Sequence, residues 1–201
     1  MLAANVDTNY AVTKSGFADN SPGSAAIWVF IYAELTEFGL FFLAFLFAKF
    51  YFPVQFYEGP AQLSTMTGLL NTLVLLSSSF FVAKAMQAIK RNKKNTTVFW
   101  LVLTILSGIS YCLIKNWEYN LNEQAGITAR TNYYFSSYYY ITFNHLLHVM
   151  IGTCTIIFVT ILTALGVYDK DNHEGLESAA SYWHMIDLVW ILIFPLVYVL
   201  R

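Results

Sequence analysis

The sequence predicts an all-α, polytopic membrane protein: a bundle of five transmembrane helices. Of its 201 residues, 57% are hydrophobic and only 11% are charged, whereas an ordinary soluble domain carries about 25% charged residues. Aromatic residues make up 18% of the chain, which excludes a disordered protein. The net charge of −1 provides no basic field, so no nucleic-acid partner is expected. The two cysteines, Cys112 and Cys154, form neither a disulfide framework nor a zinc signature.

Five stretches of the chain are apolar enough to cross a bilayer, whose core of about 30 Å requires roughly 20 apolar residues in a helix. In chain order they cover residues 25–50, 65–89, 98–121, 137–165 and 179–200. Residues 1–24 are predicted to form a polar N-terminal segment, and residues 25–201 the five-helix domain. The first residues lack a basic region followed by an apolar core, so no cleavable signal peptide is expected.

The connections between the spans indicate their orientation. Residues 51–63 contain two prolines and a glycine, which predicts a connecting loop. The connection between the second and third spans is strongly basic, with three lysines and an arginine at residues 90–94. Since cytoplasmic loops are enriched in Lys and Arg, this connection is predicted to be cytoplasmic. Five spans then place the N-terminus in the cytoplasm and the C-terminus in the periplasm.

Ionisable residues within the spans are the candidate functional residues, because such groups are costly at membrane depth. They form pairs separated by three positions, which places both members on one face of a helix. The pairs are Glu34 and Glu37, Lys115 and Glu118, His145 and His148, and His184 and Asp187.

The two pairs that contain glutamate each have a functional and a structural interpretation. Glu34 and Glu37 cannot both ionise readily on one face, so they form a proton relay, ligate a metal, or make a buried hydrogen bond between helices. Lys115 and Glu118 lie near the end of the third span, beside Trp117 and other aromatic residues typical of a membrane interface. They form either an anchored, partly wet helix end or part of a proton path.

The histidine pairs are open to similar alternatives. His145 and His148 are candidate ligands of a metal or heme, but neither acidic pair is followed by His at the Glu-x-x-His spacing of di-metal bundles. Hydrogen bonds to neighbouring helices are the favoured role. His184 and Asp187 form a pair that orients the imidazole, without a nucleophile to complete a triad. The serine run at residues 77–79 supplies small polar groups that hold membrane helices together.

The last span resembles a known family. Residues 177–190, with Glu177, Tyr182-Trp183-His184, Asp187 and Trp190, are similar to the C-terminal signature of subunit III of heme–copper oxidases. Residues 142–153 resemble the His-x-x-His-Val-x-x-Gly stretch of that family, and residues 115–119 resemble its Gln/Lys-x-x-Glu-Tyr motif. Residues 30–42 resemble the helix that carries the carbodiimide-reactive glutamate.

In that helix Glu34 falls on the reactive glutamate, whereas Glu37 falls where the family usually has Phe. The resemblance covers all five spans, from about Trp28 to the C-terminus. It implies the five-helix bacterial form, without the first two helices of the seven-helix mitochondrial form. The sequences at residues 38–42 and 194–198 resemble those of the family branch that includes the accessory protein of nitric oxide reductase.

The resemblance implies a non-catalytic subunit of a bacterial terminal oxidase in aerobic respiratory electron transport. In this family subunit III binds no heme or copper, packs on subunit I, sustains proton uptake and protects the complex from inactivation. No cofactor is therefore expected in this chain, with heme and copper expected in partner subunits I and II. A phospholipid is a candidate ligand, and the expected location is the bacterial inner membrane.

These implications give two site hypotheses. The residues predicted to contact lipid or support proton uptake are Glu34, Glu37, Glu118, His145 and His148, of which Glu34, His145 and His148 form a cluster between helices. His184, Asp187 and Glu177 are predicted to form a structural contact between helices.

The sequence is compatible with three other functions. One is an accessory membrane subunit of a nitric oxide reductase. The others are a stand-alone membrane metalloprotein that uses the Glu and His pairs, and a proton-coupled transporter. The chain shows no detectable internal repeat, which argues against a transporter because inverted repeats are common in transporters.

Overall fold

The computed structural model describes residues 23–200, whose regular elements are all helices. Most of the predicted N-terminal segment 1–24 therefore lies outside the described residues. Along the described chain run α1 (Ala25–Tyr51), α2 (Pro53–Gln62), α3 (Thr65–Lys90), α4 (Lys94–Gln124), α5 (Tyr133–Leu165) and α6 (Glu174–Phe194), followed by one turn of π-helix (Pro195–Val199).

Five of the described helices, all except α2, are long and apolar enough to cross a membrane. When the π-turn is counted with α6, the shortest of these spans have 26 residues and the longest, α5, has 33. At 1.5 Å per residue they measure about 40–50 Å, which exceeds the bilayer core of about 30 Å, so they tilt or project from it. The prediction of an all-α protein with five spans is confirmed.

The prediction of a loop over residues 51–63 is wrong, because most of this connection forms α2. Pro53 begins the helix, where its missing N–H would have no partner in any case. Phe56 is buried and holds the helix against the bundle, with its ring centroid 4.9 Å from that of Phe45 and 5.4 Å from that of Tyr134. Tertiary packing thus outweighs the helix-breaking composition of the segment.

One end of the bundle brings together the start of α1, the α3–α4 connection and the start of α6. The backbone N–H of Gly23 donates to the Glu177 carboxylate at 3.2 Å, and Lys90 forms an ion pair with Glu177 at 2.9 Å. The basic connection predicted to be cytoplasmic therefore lies at the same end as the beginning of α1, as the predicted topology requires.

The opposite end holds α2, the start of α5 and the C-terminal π-turn. The rings of Phe52 and Tyr133 stack with their centroids 4.0 Å apart. The Tyr134 hydroxyl donates to the carbonyl oxygen of Val197 at 2.6 Å. Successive spans thus alternate in direction between the two ends.

Helix α6 is the centre of the bundle and α1 lies at its edge. In the most apolar window of each span, 56% of α6 is buried but only 17% of α1. The indole N–H of Trp183 donates to Ser78 of α3 at 3.0 Å, and that of Trp190 donates to Thr72 of α3 at 3.0 Å. Ser78 confirms the predicted role of the serine run in holding helices together.

Candidate functional site: polar clusters between the membrane helices

The first cluster joins α1 to α5 through Glu34 and His148. The carboxylate Oε2 of Glu34 lies 2.5 Å from Nε2 of His148. Nδ1 of His148 lies 2.7 Å from the backbone carbonyl of Asn144. Because a carbonyl oxygen only accepts, Nδ1 carries a proton and donates it to this bond. A hydrogen bond between Nε2 and Glu34 then requires a proton on one of these two groups.

This pair lies at the edge of the bundle, where molecules outside the bundle can contact it. The side chains of Glu34 and His148 remain 14% and 13% exposed. The ring of Phe38 packs beside the pair, with its centroid 5.1 Å from the His148 ring and 6.3 Å from the His145 ring. The arrangement can hold a proton at membrane depth where a lipid or a partner subunit can approach it.

His145 makes different contacts. Its Nε2 donates to the carbonyl oxygen of Ile186 at 3.2 Å, and its Nδ1 lies 3.0 Å from the Tyr111 hydroxyl. The side chain is fully buried and both ring nitrogens are used. Three positions correspond to about 60° around a helix, so His145 is turned from the α1 side toward α4 and α6. The structure brings Glu34 to His148 but not to His145.

Glu37 also lies apart from this pair. It is exposed, and within the described part of the chain it makes no hydrogen bond or ion pair. Its offset of about 60° from Glu34 around α1 places it on the outward side of the helix.

The second cluster is sealed inside the bundle around Lys115 and Glu118. Nζ of Lys115 donates to Glu118 Oε2 at 3.3 Å, and the two side chains are 0% and 1% exposed. Nζ also donates to the hydroxyls of Tyr198 and Tyr138, at 2.6 and 3.2 Å. Both hydroxyls donate in turn to Glu118 Oε1, at 2.7 and 2.8 Å. The interpretation of Lys115 and Glu118 as a partly wet helix end is wrong.

Aromatic rings complete the enclosure of Lys115. Its Nζ lies 4.8 Å from the ring centroid of Tyr138 and 5.3 Å from that of Tyr198, and the rings of Tyr119 and Trp190 lie at 5.1 and 5.6 Å. Cation–π attraction is strongest when the cation is desolvated in this way. The cluster can therefore hold a full charge pair without water and tie α4, α5 and the C-terminal turn together.

The sequence reasoning did not identify the tyrosines of this cluster. Tyr198 is separated from Lys115 by 83 positions and Tyr138 by 23. In a chain with 14 tyrosines, no local spacing marks these two. The buried Lys itself is the signal that could have prompted a search for partners, since a buried ammonium must find acceptors.

No hydrogen bond joins the three residues predicted to form the structural contact, as far as the described residues show. Nδ1 of His184 lies 2.8 Å from the hydroxyl of Ser79 on α3. Asp187 is 3% exposed, and neither carboxylate oxygen has a hydrogen-bond partner among the described residues. Glu177 lies at the end of the bundle with Lys90. His184 thus joins α6 to α3, but not through Asp187 or Glu177.

The clusters do not assemble a metal centre in the part of the chain that the structure describes. Over residues 23–200, no three His, Cys, Asp or Glu side chains lie close enough together to hold a metal ion. The fold and its polar clusters thus define a multi-pass helical membrane protein with two pairs of ionisable side chains within its spans, Glu34 with His148 and Lys115 with Glu118.

Comparison with known proteins identifies the family. Residues 23–201 match the family described as cytochrome c oxidase subunit III. The chain belongs to this family, a subunit III family of heme–copper oxidases, as the segment at 177–190 predicts.

Curated relatives carry both cytochrome c oxidase and quinol oxidase names. Cytochrome c oxidase subunit 3 of a Synechocystis strain is 34% identical over 173 residues, covering 86% of this chain and 73% of the relative. A probable quinol oxidase subunit 3 of Staphylococcus haemolyticus is 29% identical over 181 residues, covering 86% of each. Cytochrome c oxidase subunit 3 of Triticum aestivum is 39% identical over 130 residues, which cover 65% of this chain and only 48% of the relative.

Proposed function

We propose that the chain is the non-catalytic subunit III of a bacterial heme–copper terminal oxidase in aerobic respiratory electron transport. In this proposal it packs on catalytic subunit I beside subunit II, which hold the heme and copper. It lies in the bacterial inner membrane with its N-terminus in the cytoplasm. The family membership and the relatives named as oxidase subunits support the proposal.

The contact between Glu34 and His148 is the observation that carries a supporting role in proton uptake. The pair lies at membrane depth, has its carboxylate and imidazole 2.5 Å apart, and remains partly exposed at the edge of the bundle. An intramembrane ionisable pair in such a position is a functional-site hypothesis by default. In this proposal it buffers protons beside the catalytic subunit, and a phospholipid packed against α1 shields it from water.

The number of turnovers that the oxidase completes before it loses activity tests this role. The complex that carries Glu34→Gln is expected to inactivate after fewer turnovers than the wild-type complex, because Gln cannot exchange a proton with His148. The matched control is Glu58→Gln, since Glu58 is exposed on α2 outside the five spans. The proposal would be contradicted if the Glu34→Gln complex kept the wild-type lifetime, proton uptake and lipid content.

The alternatives predict different properties. A stand-alone membrane metalloprotein would retain iron, copper or zinc when the chain is purified by itself, and a proton-coupled transporter would drive uptake into vesicles. An accessory subunit of nitric oxide reductase, suggested by the segments at 38–42 and 194–198, would purify with a complex that consumes nitric oxide.

A further inference from the structure

The outward side of α1 carries an ionisable residue at mid-membrane. Glu37 lies near the midpoint of the 27-residue helix and is exposed, without a hydrogen bond or ion pair in the described part of the chain. Glu34, on the neighbouring turn of the same helix, is paired with His148. The two glutamates therefore have opposite environments at nearly the same depth.

The Glu37 carboxylate is too far from either membrane surface to reach water. From the midpoint of α1, either end of the helix is about 20 Å away, and the headgroup region begins about 15 Å from the bilayer centre. Snorkelling is a property of long side chains near helix ends, and a glutamate at the centre is too short for it. Facing lipid is costly for a carboxylate in this position, which favours a protein partner.

The surroundings of Glu37 form a continuous seam suited to a second helix. Much of α1 is exposed, and one line of exposed residues passes through Glu37 at alternating steps of four and three, which is the heptad spacing of packed helices. This outer seam of α1 consists of Ala33, Glu37, Leu40, Ala44, Phe47 and Tyr51. The small residues Ala33 and Ala44 lie one and two turns from Glu37, where they allow another backbone to approach closely.

We propose that the outer seam of α1 docks a transmembrane helix of another oxidase subunit, and that Glu37 pairs there with a Lys or Arg of that helix. This inference rests on the proposed function, since it requires the chain to be part of a complex. A cationic partner matches the unpaired carboxylate and forms a charge-assisted hydrogen bond with it. The apolar and small residues of the seam supply the packing around that bond.

Photocrosslinking in the native complex tests the surface without removing the charge. A benzoylphenylalanine replaces Leu40 on the outer seam, where the native residue is 59% exposed. The control position is Leu106 on α4, which is 54% exposed. Crosslinking of position 40 to a second subunit is expected, above the background of position 106. Labelling of lipid alone from position 40, in a complex that contains heme, would overturn the inference.

Substitution of Glu37 tests whether its carboxylate forms the proposed ion pair. Glu37→Leu and Glu37→Lys are expected to lower the heme that co-purifies per chain, with the charge reversal lowering it by about tenfold. Glu58→Leu on α2 is the matched control and is expected to retain the wild-type ratio. Wild-type heme content in both Glu37 variants would exclude the ion pair.

The outcome for the wild-type chain separates this inference from the proposed function. If the wild-type chain purifies without heme, the proposed function fails. If it purifies with heme while the Glu37 variants and the position-40 crosslink behave as the controls do, only the docking surface fails.

Discussion

Lys115 and Glu118 show how a charge pair is retained inside a membrane helix bundle. An unpaired charge is far more costly to bury than a neutral polar group. Here the two charges lie 3.3 Å apart, and the hydroxyls of Tyr138 and Tyr198 satisfy the remaining donors and acceptors. The stability of the cluster therefore depends on each member being present.

Removal of one charge is expected to destabilise the chain strongly. Glu118→Gln leaves the Lys115 ammonium buried without its counter-ion, which lowers the free energy of unfolding by about 3–5 kcal/mol. Unfolding of the purified chain in detergent measures the change. The matched control is Glu123→Gln, because Glu123 is exposed on the same helix and its substitution is expected to change stability by less than about 0.5 kcal/mol. Equal stability of the two variants would contradict this account of the cluster.

At the scale of single residues, the sequence identified the ionisable groups and some of their partners: it grouped Glu34 with His145 and His148, and the structure brings only His148 to Glu34. Spacing of three positions on one helix correctly pairs Lys115 with Glu118. The same rule fails to pair Glu34 with Glu37, because partners come from other helices: His148 lies 114 positions from Glu34. Contacts of that separation depend on which helix faces pack together, which no single-helix pattern contains.

At the scale of elements, glycines set how closely α4, α5 and α6 approach. A Cβ added at Gly108 of α4 would lie 2.4 Å from Oγ1 of Thr153 on α5 and 2.9 Å from the Trp183 ring on α6. One added at Gly152 of α5 would lie 2.7 Å from Ile186 on α6. The three helices therefore pack at a distance that only glycine permits at these positions.

Gly108→Ala is expected to force these helices apart. Overpacking of this kind lowers the free energy of unfolding by about 1–3 kcal/mol. Gly39→Ala on α1 is the matched control, because a Cβ there would meet no atom within 4 Å. It is expected to be neutral or to stabilise the helix by up to about 1 kcal/mol. Unfolding of both chains in detergent gives the comparison, and a loss of stability in Gly39→Ala but not in Gly108→Ala would contradict this packing.

Hydropathy predicted the five spans but not their full lengths. The third span was predicted over residues 98–121 and the helix is Lys94–Gln124. The fourth was predicted to begin at residue 137, whereas α5 begins at Tyr133, where Asn132 accepts a hydrogen bond from the N–H of Phe135. Helices continue past the apolar stretch until a cap or turn ends them, and α2 was missed because its stability comes from the burial of Phe56.

At the scale of the whole molecule, α1 differs from the other four spans. The two buried tryptophans of α6 and the cluster around Lys115 fix the bundle from within. The helix at its edge carries one glutamate in a partly exposed pair and one without a partner in the described residues. In the proposed complex, α1 is the side that faces the rest of the oxidase.

Purification of the native complex tests the central claim most directly. The chain is isolated from membranes in mild detergent, a reduced-minus-oxidised spectrum is recorded, and the consumption of oxygen and nitric oxide is measured. The account predicts co-purified heme together with oxygen consumption. Nitric oxide consumption without oxygen uptake would instead assign the chain to a nitric oxide reductase, and a chain that purifies without heme or a larger partner would contradict its role as an oxidase subunit.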